Sequence, residues 1–261
     1  MVLNDMASNF LTPAWGDRAL DVGALSTLRS GGISAGAYDD SEGGGGFNLG
    51  AHVGDRLAYV QRNRALLRSL LPGDPVWLSQ VHGTMVVDAA GIKPGIEADA
   101  SIATQPGIVC VVQTADCLPV LFCDAESKVV GAAHAGWRGL ANGVLENTVQ
   151  RMRDAGAAEI LAWLGPAIGP EQFEVGDDVV AAFAVRGPEM GTAFRGIEGH
   201  PGKYLADIYM LARMVLAKAG VRDIHGGGLC TVSDRHRFYS YRRDRITGRM
   251  ASMIWLESPA Q

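Results

Sequence analysis

Between residues 76 and 134 the chain holds five β-type runs, at 76–80, 85–88, 108–113, 120–123 and 129–134, with no helical spacing between any two of them. A doubly wound parallel sheet needs a crossover, usually a helix, between consecutive strands. The uninterrupted succession therefore predicts an α+β protein. Several runs, such as GIVCVV and PVLFCD, are apolar at both alternating positions, as in strands covered on both faces. Further β-type runs fall at 160–165, 228–231 and 253–256. Helical spacing marks 55–71, 139–153, 177–185 and 205–218. The first stops at Pro72-Gly73, the third opens on two acids, and the last ends at Gly220. There is no repeat period and no polar linker, so residues 1–261 read as one domain.

With 48% apolar and 20% charged residues the chain can bury a core, which excludes a disordered one. A net charge of −5 leaves no cationic footprint for nucleic acid or an anionic membrane. The N-terminus lacks a basic region followed by an apolar one, so a cytoplasmic protein is expected, working as a monomer or small homo-oligomer. The four cysteines are then expected as free thiols, with Cys110 and Cys123 as small buried hydrophobes. Residues 235–249 pack six arginines with three aromatics. In an acidic chain they are expected to pair with acids or close over an anionic substrate rather than to bind nucleic acid.

Three segments place a metal-capable or nucleophilic side chain at the end of an apolar run: SQVHG (79–83), TADCLPV (114–120) and AAHAGWRG (132–139). His82, Cys117 and His134 are far apart in sequence, so any common site is assembled by the fold. Two imidazoles and a thiolate form a catalytic zinc set with a fourth position open, and these donors suit zinc over magnesium. Spacing alone leaves two other readings open: a Cys117–His134 nucleophile–base pair, or no site. Of the 34 glycines, Gly83, Gly136 and Gly139 flank these segments, where backbone without Cβ lets a ligand approach. Arg138, beside a helix start near Gly139, suits a phosphate or carboxylate, although a surface role is as compatible with its position. Arg29 in LRSGGIS and Asn48 in FNLGAHVGD are further candidates for lining a ligand site, joined by Gln80 beside His82 and Asp116 beside Cys117. Asp116 is also a candidate proton shuttle by adjacency. Neither a Walker pattern nor G-x-G-x-x-G is present. His52, His200 and His225 have no companion spacing and read as ordinary residues.

Taken in order, LRSGGIS, FNLGAHVGD, NRALL, SQVHG, ADA, TADCLPVLF, AAHAGWRGL, LGPAIG, FEVGDDV, YLADI, CT and FYSYRRD–TGR–ASMIWL resemble the YfiH family over residues 25–256. That family is also called the multicopper polyphenol oxidase (laccase-domain) or peptidoglycan editing factor family. The resemblance implies a four-layer α/β/β/α fold of cysteine hydrolase type, shared with a bacterial toxin deamidase domain. It implies zinc on His82, Cys117 and His134, with catalysis also drawing on Arg138. The implied activity is phosphorolysis of adenosine, inosine, guanosine and methylthioadenosine, with adenosine deamination by zinc-activated water at the purine C6. Purine nucleoside and phosphate are the implied partners, with Arg138 and Arg29 on phosphate or ribose oxygens. An alternative is a Cys117-dependent amidase editing peptidoglycan precursors. The older label, copper-dependent phenol oxidation, sits poorly with six histidines and no H-x-H pair, although copper suits the same N,N,S set. The insert DDSEGGGG and Ala37, where a proline is common, depart from the pattern in one loop.

Overall fold

The computed structural model describes residues 10–16, 20–93 and 95–258. Its strands are β1 Phe10–Leu11, β2 Val22–Thr27, β3 Ser30–Ser34, β4 Pro75–Val76, β5 Val86–Asp88, β6 Ala100–Ala103, β7 Val109–Thr114 and β8 Leu118–Asp124. They continue with β9 Val130–Ala135, β10 Ile160–Leu164, β11 Glu174–Gly176, β12 Phe194–Gly196, β13 Lys203–Ala206, β14 Asp223–Gly226 and β15 Met250–Leu256. The helices are α1 Leu57–Arg68, α2 Trp137–Asn142, α3 Val144–Asp154, α4 Asp177–Ala184, α5 Ile208–Lys218 and α6 Tyr241–Asp244.

A five-stranded sheet runs β1-β2-β15-β7-β4, a six-stranded sheet β14-β10-β8-β9-β6-β5, and a small one β11-β13-β12. The alternation inside β7 explains how the large sheets stack. Cys110 and Val112 point inward to meet Leu121, Val130, Ala132 and Leu161 of the six-stranded sheet. Val109 and Val111, one residue out of step, point outward to Leu67 and Leu71 at the end of α1. The far face of the six-stranded sheet is covered by Val144, Leu145 and Met152 of α3 and Leu211 and Val215 of α5. The order helix, sheet, sheet, helix is the layering expected, and the double-sided apolar runs are its cause. Among the described residues no helix is long and apolar enough to cross a membrane.

Several boundaries differ from the sequence expectations. The helix expected over 139–153 is two helices: Gly143 at φ +104° ends α2 and starts α3. Leu205 lies in β13, and the following helix starts only after Asp207, whose side chain accepts from the Met210 amide as an N-cap. Of the run 76–80 only Val76 falls in β4, with a single bridge further on at Ser79. Residues 228–231 are not a strand. The parallel edge is β14 instead, and Gly226, Gly227 and Gly228 end it at positive φ.

The site's position follows from one crossing. β7 belongs to the five-stranded sheet and β8 to the six-stranded one, so residues 115–117 carry the chain between sheets. Asp116 makes the reversal at φ +94°. β8 then pairs antiparallel with β9, with Pro119 opposite His134, which brings Cys117 and His134 to one sheet end.

Candidate metal centre

His134 is buried in β9, and its Nδ1 lies 2.8 Å from Asp99 Oδ1. Asp99 is fully buried just before β6. Its carboxylate also accepts the backbone amides of His82 (2.9 Å), Gly83 (2.7 Å) and Val81 (3.2 Å). Burial alone would raise its pKa. The His134 hydrogen bond and the Gly83 and Val81 amides outweigh that and hold it below the usual carboxylate range. The three amides also hold His82 at φ +60°, a conformation that costs a non-glycine residue roughly 1–2 kcal/mol.

The crossing at 115–117 is held just as firmly. Asp116 accepts the Thr231 hydroxyl and the Arg242 amide, each at 2.6 Å. Cys117, half-buried, then points its Sγ to within 3.9 Å of His82 Nε2. The rings of His82 and His134 meet edge to face with centroids 4.8 Å apart. The ligand atoms of all three residues lie within 4.8 Å of one another. A tetrahedral zinc at ordinary bond lengths sets sulfur and nitrogen about 3.6 Å apart, so the Cys117–His82 pair at 3.9 Å already stands near that spacing and the wider separations, up to 4.8 Å, close in to hold the ion. Gly136 makes the room: a Cβ there would meet His82 Cδ2 at 2.9 Å and Cys117 Sγ at 3.1 Å.

The trio is electrostatically coupled. Burial opposes ionisation of Cys117, but His134 and His82 bring its thiol down to about 6. Burial likewise disfavours a charged His134, yet Cys117 and Asp99 push it up to about 9. Without a metal the site is a thiolate–imidazolium pair. A thiophilic cation would take the proton's place.

The trio opens on a cleft of about 870 Å³. Of the other expected site residues only Gln80 lines it, and both ends of its amide are bound to the Gln113 backbone (2.9 and 2.7 Å). Gln80 thus ties the His82 segment to β7. Arg29 is buried elsewhere, stacked on Tyr239 and ion-paired with Asp39 and Asp244. Asn48 is buried too, and its Oδ1 accepts the Arg249 amide at 2.9 Å. Asp116 has its carboxylate bound in the turn and does not line the cleft, so adjacency to Cys117 does not put it at the substrate. Arg138 is exposed on α2 with its guanidinium over Trp137, 4.3 Å from the ring centre, also outside the cleft lining. Lining residues without a sequence expectation include Arg64, Trp77 and Gln113; His52, read as ordinary, and Arg249, from the arginine-rich stretch 235–249, line it too. Gln113 is buried, and its side-chain oxygen has no partner. No companion spacing marks His52 in the sequence; the fold alone brings it to the cleft. Asp99 stood in the ADA motif without a sign of what it would bind.

The family described as multi-copper polyphenol oxidoreductase laccase matches residues 23–257. A purine nucleoside phosphorylase of Pseudomonas aeruginosa is 50% identical over 248 residues, covering 95% of this chain and 98% of that one. The purine nucleoside phosphorylase YfiH of Escherichia coli is 50% identical over 252 residues, covering 95% and 99%. The crystal structure of a Neisseria meningitidis protein superposes with a TM-score of 0.88 at 48% identity, covering 96% of this chain and all of that one. YlmD from Geobacillus stearothermophilus gives 0.81 at 31% identity, covering 91% and 93%.

Proposed function

Since the chain belongs to the multi-copper polyphenol oxidoreductase laccase family, and its curated relatives at half identity are named purine nucleoside phosphorylases, we propose that it is a zinc-dependent purine nucleoside phosphorylase. The observation that carries this reading is the His82–Cys117–His134 trio on the wall of a cleft of about 870 Å³. That volume is in the range of small-molecule sites, which run from roughly 300 to 1,000 Å³.

The donor set fits one thiophilic ion, with zinc first and copper able to occupy the same place. When bound, such an ion acts as a Lewis acid toward a substrate oxygen. The chain's own residues do the rest. Asp99 turns His134 so that Nε2 faces the cleft, and the amides it collects hold His82 in register. Gly136 keeps the space between the three ligands clear. The substrates are adenosine, inosine, guanosine and methylthioadenosine, each split by phosphate into free base and the sugar 1-phosphate, with adenosine deamination in the same cleft. Multicopper chemistry is disfavoured by the donors: among the described residues one group of three ligands is present, too few for a copper cluster.

One observation favours a second reading. Cys117, His134 and Asp99 stand in the order nucleophile, base and orienting carboxylate, the arrangement of a cysteine hydrolase. Such a site would cleave an amide, as in a peptidoglycan precursor, without metal.

The test is product identification on metal-quantified protein. Adenosine with phosphate is expected to give adenine and ribose 1-phosphate, and adenosine alone to give inosine. About one zinc per chain is expected, and its removal abolishes both reactions. Full activity after metal removal overturns the metal role. Cleavage of an aminoacyl-muramyl nucleotide with no purine product transfers the reading to the thiol.

A further inference from the structure

We propose that Arg64 and Arg249 form an oxyanion subsite that receives inorganic phosphate in the cleft shared with His82, Cys117 and His134. This rests on the phosphorylase reading and assigns the phosphate to residues other than Arg138 and Arg29.

The first observation is a charge imbalance. Arg29 is paired with Asp39 and Asp244, Arg186 with Glu146, and Arg243 with Asp244. Arg64 and Arg249 are half-buried as well, yet neither has a carboxylate within ion-pair distance among the described residues. Asp116 acts on Arg249 from a distance, but both its oxygens are held by Thr231 and Arg242. A desolvated guanidinium without a counter-charge is costly, and a bound anion relieves it.

The second observation is that both arginines are fixed in advance with donors to spare. Arg64 donates from Nε (3.0 Å) and Nη2 (2.8 Å) to the Leu49 carbonyl and stacks on Trp77, 3.9 Å from the ring centre. Its Nη1 is unclaimed among the described residues. Arg249 donates from Nη1 to the carbonyls of Thr247 and Gly248, leaving Nε and Nη2 unclaimed in the same sense. Its backbone is bound on both sides, its amide to Asn48 Oδ1 and its carbonyl to the Leu49 amide at 3.1 Å. One short segment, 48–49, therefore anchors the guanidinium of Arg64 and the backbone of Arg249. Gly50 lets the Arg249 side chain pass: a Cβ there would lie 2.7 Å from Arg249 Cγ. Planar guanidinium forks with fixed geometry suit phosphate oxygens.

The third observation is place. Arg64 and Arg249 line the same cleft as His82, Cys117 and His134. A phosphate on the arginines is thus held beside the reacting sugar. In the step served, a phosphate oxygen bonds to C1′ as the C1′–N9 bond breaks with its electron pair going to the purine. The proton that hydrogen phosphate gives up balances the one the purine takes.

The experiment measures the KM for phosphate, the KM for adenosine and the metal content of Arg249→Ala, Arg64→Ala and the milder Arg249→Lys and Gly50→Ala. Calorimetric titration of the metal-loaded protein with inorganic phosphate alone accompanies it. Losing a charge-assisted pair of hydrogen bonds is expected to raise the phosphate KM about 10- to 100-fold per arginine, with adenosine KM and metal content little changed. The direct phosphate titration is expected to weaken in parallel. Phosphate binding that depends on both arginines, in a protein with no phosphorolysis, keeps the subsite and refutes the phosphorylase reading. Phosphorolysis whose phosphate KM is unmoved in all four variants, or phosphate binding indifferent to both arginines, overturns the subsite, as does an absence of any phosphate binding. If Arg249→Ala and Arg64→Ala do not fold, the same outcomes are read from Arg249→Lys and Gly50→Ala.

Discussion

Asp99 Oδ1 stands 2.8 Å from His134 Nδ1, and the same carboxylate accepts the His82 amide at 2.9 Å. One fully buried side chain thereby sets the attitude of two of the three ligand residues. With Nδ1–H donating to Asp99, the Nε2 lone pair of His134 is left for the cleft. Partners of this kind fix the tautomer of a metal-binding histidine and strengthen it as a ligand.

Asp99→Asn tests that relationship with little change in shape. The amide oxygen can still accept the Val81 and Gly83 N–H groups, but an amide nitrogen in place of Oδ1 loses the His82 N–H bond, donates to His134 Nδ1 and moves the ring proton to Nε2. Metal affinity is expected to fall roughly 10- to 100-fold. Metal analysis after dialysis against a graded chelator checks this. Wild-type retention of metal would show that Asp99 only supports the turn at 81–83.

Gly136→Ala addresses the space between the ligands. A Cβ 2.9 Å from His82 Cδ2 and 3.1 Å from Cys117 Sγ forces both away from where they meet. Overpacking of this sort costs about 1–3 kcal/mol, small enough for the fold to survive. The expected outcome is a folded protein of somewhat lower Tm that no longer holds metal. A variant with normal metal content and activity would contradict the convergence of the trio at Gly136.

Cys117 in metal-free protein is expected to behave as a thiolate at neutral pH. Its alkylation by iodoacetamide should rise through about pH 6 rather than in the ordinary thiol range, because His134 and His82 lower it. A depressed folded value means that the thiolate stabilises the fold above the unfolded thiol's pKa, and that this contribution is lost as pH falls through about 6. His134 has the opposite sign: its contribution is present below the ordinary histidine pKa and is lost as pH rises through about 9. Added zinc should protect the thiol. An alkylation midpoint near 8.5 would show that the pair does not form.

The parts of this site visible in the sequence were those whose chemistry is local. Histidine and cysteine at the ends of apolar runs mark the ligands whatever the fold does with them. Asp99 could not be weighted the same way, since its partners at 81–83 and 134 are joined to it only by the pairing of β6 with β9. The basic residues show a related difficulty. Arg29 and Arg138 stood out for their glycine neighbours, yet Arg29 is paired with two carboxylates and Arg138 lies on an exposed helix face. What distinguishes Arg64 and Arg249 is a half-buried place on the cleft wall without a carboxylate partner among the described residues, a property of tertiary structure alone. Among the elements, steps of four from Leu140 through Val144 and Thr148 ran straight across Gly143, because periodicity does not register a single left-handed residue. Leu205 joined a helical pattern with Ile208 that strand pairing overrode, and the helix starts only after the N-cap at Asp207.

Asp116 separates two roles that its place beside Cys117 left undivided. If it were a proton shuttle, Asp116→Ala would lose activity while metal content and stability stayed normal. The structure instead binds its oxygens to Thr231 Oγ1 and the Arg242 amide, both at 2.6 Å, at the reversal that swings Cys117 from one sheet to the other. Removing the carboxylate strands a half-buried amide and a buried hydroxyl, each costing about 1–3 kcal/mol, and leaves alanine at φ +94°. Asp116→Ala is therefore expected to lower the Tm by several degrees and to lose metal and activity together. Asp116→Asn, whose oxygen can accept the Arg242 amide while its NH2 donates to the Thr231 hydroxyl, is expected to recover most of each. Thermal melts read beside metal content decide the matter: a stable, metal-replete but inactive Asp116→Ala protein would restore the proton-shuttle role.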